Sequence, residues 1–69
     1  MEIVANVSFE KIVGEIATTV YRKTILSGKC ETESEASISI HIQCMNICQD
    51  MAEETGDHYD YVWFDEERR

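Results

Sequence analysis

The residues of this chain that could hold a metal or attack a substrate are Cys30, His41, Cys44, Cys48 and His58. Thiolate and imidazole are good zinc ligands, and His41, Cys44 and Cys48 fall on neighbouring parts of one face if that stretch is helical. The spacing argues against a metal site. Structural zinc sites usually present close pairs of ligands from turns, and no two cysteines here are separated by two residues. Cys44 and Cys48 also lie among apolar residues, where a free cysteine behaves as a small hydrophobe. No metal and no other cofactor is expected.

Nucleophilic catalysis would pair one of these thiols with His41 or His58 as base and with a third group to orient the base, and no pattern supplies that third group. A chain of 69 residues leaves little interior for a pocket of about 300 Å³. The stretch from Asp57 to Glu67 has the acids of a calcium loop but lacks the central glycine and alternating ligand positions of an EF-hand. Gly14, Gly28 and Gly56 are isolated, so no phosphate-cradling loop is expected. The chain is not expected to be an enzyme.

Charge is more informative. Fourteen acids against six bases give a formal charge of -8, which would repel a nucleic-acid backbone, so direct DNA or RNA binding is not expected. Eight of the acids, Asp50, Glu53, Glu54, Asp57, Asp60, Asp65, Glu66 and Glu67, fall in one stretch that contains no Lys or Arg. Tyr59, Tyr61, Trp63 and Phe64 are interleaved with them. On a strand, Tyr59, Tyr61 and Trp63 share one side and Asp60, Val62 and Phe64 the other. One side must pack on the rest of the molecule, and the other is then an aromatic or mixed patch ringed by carboxylates, the composition of a protein-protein contact. The bland alternative is a solvated acidic surface over aromatics that fill the core.

The composition points to a stoichiometric inhibitor or adaptor that docks on a basic surface of a nucleic-acid-handling protein, with carboxylates standing in for phosphates. Asp57, Asp60, Asp65, Glu66 and Glu67 would make the contact, with Tyr61 and Trp63 as anchors. Same-side residues on a strand repeat at about 7 Å, near the phosphate repeat of a nucleic-acid strand. In general character this is similar to the small acidic inhibitors of host nucleic-acid enzymes that viruses of bacteria use against defence systems, an analogy of composition and not of motif. The competing expectation is a structural module that pairs with its own copy through Ile38, Ile42 and Met45.

These residues must be positioned by one small domain spanning residues 1–69, since a chain this short buries only about 60% of its unfolded surface. Met1 to Asn6 read as a short strand or extended arm. From Ser8, a good N-cap, the residues Phe9, Ile12, Val13, Ile16, Ala17 and Val20 recur at three and four, and the pattern predicts a helix over residues 8–27 closed by Gly28. Val7 and Ile12 fit a hydrophobic staple at its start.

Residues 36–44, ASISIHIQC, alternate like a strand, and that alternative stays open. Extended to residue 53, however, Ala36, Ile40, Cys44, Ile47, Cys48 and Met51 gather on one third of a helical wheel. Thr32 and Glu35 form a capping box and Gly56 a stop, so a helix over 33–55 is preferred. Tyr59 to Phe64 read as a strand, although Tyr59, Val62 and Trp63 would also fit one helical turn.

The expected fold is therefore α+β, a helical hairpin with short terminal strands side by side and antiparallel. The alternative is a three-stranded antiparallel sheet packed on the first helix. Three cysteines without paired spacing read as reduced thiols, and no stretch reads as a membrane span or signal peptide, so a cytoplasmic location is expected. So small a core without a staple makes a homodimer the expected state.

Overall fold

The computed structural model describes all of residues 1–69 and has four elements: β1 (Ile3–Val13), β2 (Ile16–Leu26), α1 (Glu33–Thr55) and β3 (His58–Arg68). The three strands form one antiparallel sheet in the order β2-β1-β3, and the single helix covers one face of it. The chain is thus a small α+β unit. No helix in it is long and apolar enough to cross a membrane.

The helical hairpin expected from residues 8–27 and 33–55 is not formed. Residues 8–27 instead finish β1, turn at Gly14 and Glu15, and run back as β2. The physical reason lies in the residue types under the apparent stripe. Ile12, Val13, Ile16, Thr18, Thr19, Val20, Thr24 and Ile25 are β-branched, lose rotamer freedom in a helix and suit a pleated surface. Gly14 takes φ 60° between the paired residues Val13 and Ile16, which suits the first central position of a two-residue hairpin turn. Ser8 is a buried mid-strand residue and not a helix cap.

β1 is the central strand, and its alternation builds the floor of the core. Ile3, Ala5, Val7 and Phe9 are at most 1% exposed and point toward the helix, where Ala36, Ile40, Cys44 and Cys48 meet them. Ala5 and Ala36 let helix and sheet approach closely. Each large side chain so buried contributes about 1.5–3 kcal/mol. From β2 only Ile25 joins this core.

The expected helix over 33–55 forms, with the expected ends. Thr32 accepts from the Glu35 amide at 3.1 Å, Glu35 reaches back to the Glu31 amide at 3.3 Å, and Gly56 closes the last turn with φ 78°. The terminal strands do lie side by side and antiparallel, from Ile3 opposite Arg68 to Ile12 opposite His58. The sheet has two irregularities. Val20 is an extra residue in β2, where the register passes from Phe9–Tyr21 to Glu10–Thr19. Phe64 is an extra residue in β3, where it passes from Asn6–Asp65 to Val7–Trp63. Such bulges bend a strand and re-aim its side chains.

Candidate interaction surface

β3 lies at one edge of the sheet, and its two sides have different fates. Tyr59, Tyr61 and Trp63 face the helix and are half-buried against the core. The Tyr59 hydroxyl lies 3.0 Å from Thr55 Oγ1, and the Tyr61 hydroxyl lies 3.0 Å from His41 Nδ1. His41 also stacks on Trp63 at a ring separation of 4.7 Å. Burial, with smaller contributions from Cys44, Asp60 and Cys48, raises the Tyr61 hydroxyl above its usual pKa. The indole Nε1 of Trp63 is buried without a hydrogen-bond partner. Tyr61 and Trp63, expected as anchors of the contact, are half-buried and help to fix β3 to α1.

The other side of β3 faces away from the helix, on the sheet face that no element covers. Val62 and Phe64 are about half exposed there, and the Arg22 guanidinium reaches across Ser8 to lie 4.9 Å from the centre of the Phe64 ring. The bulge at Phe64 opens a shallow groove of about 320 Å³ lined by Trp63, Phe64, Asp65 and Glu66.

The carboxylates divide in the same way. Four of the five expected at the contact have partners within the chain. Asp57 pairs with Lys11 at 3.2 Å, Asp65 accepts from Asn6 Nδ2 at 3.3 Å, Glu66 pairs with Arg68 at 3.3 Å and Glu67 with Arg69 at 3.7 Å. Arg68 also ties the end of β3 to Glu33 at the start of the helix. Asp60 has no cation; its Oδ1 accepts from the Tyr61 amide at 2.8 Å.

Asp60 stands directly opposite Glu10 in the pairing of β1 with β3, a placement of like charges that opposes sheet stability. At the same end of the molecule Asp50, Glu53 and Glu54 lie in the last turns of α1, which hold no basic residue. The carbonyl end of a helix carries partial negative charge, so Glu53 and Glu54, in the last turn, also oppose stability where they stand. Glu10 was invisible in the sequence as a site residue, because its position opposite Asp60 follows from β1 being a strand, and residues 8–27 carry the spacing of a helix.

The thiols are poorly placed for chemistry. Cys44 is fully buried and its pKa is pushed up from 9.0 to about 11, first by burial and then by Cys48. Burial also raises Cys48, with Asp60 adding to the effect. Both thiols are held protonated at neutral pH. His41 is engaged with Tyr61 and Trp63, and no three of the His, Cys, Asp and Glu side chains converge as metal ligands.

Ile38, Ile42 and Met45, expected as a self-association stripe, are 57%, 52% and 58% exposed on the face of α1 turned away from the sheet. No known protein family, curated protein or solved structure matches the chain.

Proposed function

We propose that this chain is a small, non-catalytic, protein-binding inhibitor or adaptor whose acidic end docks on a basic surface of a nucleic-acid-handling protein in the cytoplasm. One observation carries the proposal: acids without cationic partners are concentrated where they cost stability. Glu10 faces Asp60 across two strands, and Glu53 and Glu54 lie at the negative end of α1 with Asp50 one turn before them. A surface needed only to keep the chain dispersed could place its acids where they cost nothing. Concentrated negative potential steers a basic partner and gains from its charges when bound.

The contact set is revised by the geometry. Asp60 remains from the sequence-based set and is joined by Glu10, Asp50, Glu53 and Glu54. The apolar component is Val62 and Phe64, in place of Tyr61 and Trp63. The groove beside Phe64, with two aromatic and two acidic residues, suits a Lys or Arg side chain of the partner. The analogy with viral anti-defence inhibitors belongs to this proposal.

The test is capture of partners from the organism that carries the chain, with the chain immobilised. A captured nucleic-acid-binding protein should be released by salt and displaced by added DNA or RNA, and a variant with Glu10→Gln, Asp60→Asn and Glu53→Gln should lose it. Capture that ignores salt, nucleic acid and these substitutions would overturn the proposal. The exposure of Ile38, Ile42 and Met45 favours a second function, a self-association module whose acids only keep the assembly dispersed. It predicts that Ile42→Glu dissociates the assembly.

A further inference from the structure

We infer that the free edge of β2 pairs with β2 of a second copy, antiparallel about a two-fold axis near Val20, merging two three-stranded sheets into one continuous sheet. This goes beyond the docking of the acidic end and does not rest on it.

β2 is an edge strand of 11 residues, so alternate residues turn their backbone N–H and C=O groups outward with no partner. The helix leans toward β3, and every side chain of β2 except Ile25 is exposed, including Ile16, Val20 and Tyr21. Long uncovered edges of β-branched residues without proline are templates for strand pairing.

Charge selects this edge among the surfaces that could meet a second copy. A chain of charge -8 repels its copy wherever acids prevail. Between Glu33 and Thr55 the helix has five acids and no Lys or Arg, and β3 carries Asp60, Asp65, Glu66 and Glu67 against Arg68. β2 is the only element that is net positive, with Arg22 and Lys23 and no acid.

A two-fold between Val20 and Tyr21 keeps side chains on matching faces past the bulge and sets Arg22 opposite Thr19 of the other copy and Lys23 opposite Thr18, so the bases do not face each other. Beyond them lies the flank of the other copy's helix. In each chain that flank is marked by Ser39 and Gln43, which donate to the Ser27 and Leu26 carbonyls at 3.1 and 2.8 Å. At helical spacing Asp50 and Glu54 continue the same flank, so Lys23, which pairs with the helix-facing Val7, would meet acids of the other copy, while Arg22 stays on the open face beside Phe64. The extra residue Val20, 44% exposed, places an apolar side chain at the axis. Two acidic ends would then point outward from opposite sides of the dimer.

Light scattering and sedimentation of the full chain over a range of concentrations, with amide hydrogen exchange, test this. The wild type should be a dimer with protected amides along β2. Val20→Lys, which sets like charges at the axis, should give a monomer with an unchanged far-ultraviolet spectrum and fast exchange in β2. Should Val20→Lys fail to fold, Lys23→Glu probes the same contact from an exposed position and should also dissociate the dimer. Ile42→Glu should leave it intact. A wild type that is monomeric throughout, or a dimer that the β2 variants leave intact, overturns the inference.

Discussion

The two edges of the sheet are built from strands of equal length and are opposite in almost every other respect. β3 is braced by the helix, its aromatic side engaged by His41 and Thr55, and its surface is acidic. β2 is bare, net positive and joined to the core through Ile25 and the stacking of Tyr21 on Phe9 at 5.0 Å. The difference teaches how, under the two proposals above, so small a unit would keep two contacts apart. An acidic edge would repel its own copy and attract a basic protein, whereas an edge without acids would accept a second copy. Both edges are bulged, at Val20 and at Phe64, and each bulge exposes an apolar side chain.

The comparison can be broken most severely at Phe9, which is fully buried under the centre of the sheet and is the stacking partner of Tyr21. Phe9→Ala is expected to cost about 3–5 kcal/mol, read from chemical denaturation. Amides of β2 should lose protection before those of β3, because β3 keeps its contacts with the helix. Equal loss at both edges would show that the helix braces them alike.

A smaller effect follows from the buried thiol between helix and sheet. The Cys44 pKa of about 11 lies above its unfolded value of 9.0, so above pH 9 the unfolded chain gives up this proton first. Stability should be unaffected by this group below pH 9 and fall as pH rises toward 11, by about 2 kcal/mol. Denaturation curves across that range, with Cys44→Ala as the reference, isolate the contribution. A slope unchanged by the substitution would place its source elsewhere, for example in Tyr21 or Tyr61, whose hydroxyls are also raised by burial.

The smallest effect has the most diagnostic sign. Glu10→Gln relieves the like-charge pair with Asp60 and is expected to stabilise the fold by about 0.2–1 kcal/mol, and Asp60→Asn should do the same. Combining the two should add little, since both remove one repulsion. The same substitutions should weaken partner binding. Opposite changes in stability and binding distinguish a surface kept for recognition from one that merely disperses the chain.

What the sequence alone determined is local or summed over the whole chain. Net charge, the helix over 33–55 with Thr32, Glu35 and Gly56 at its ends, and the aromatic strand after it were all legible, because caps, periodicity and composition act within a few residues. The tertiary structure decided residues 8–27. Their spacing satisfies a helix and their β-branched side chains satisfy a strand, and the choice fell to the strand because β1 is hydrogen-bonded on both sides and buries Val7 and Phe9 against the helix. Only that choice brings Glu10 opposite Asp60, leaves β2 as a free edge and turns Val62 and Phe64 away from the helix. Each of these follows from pairing between residues far apart in the chain, and propensity, which measures a residue against its immediate neighbours, carries no information about that.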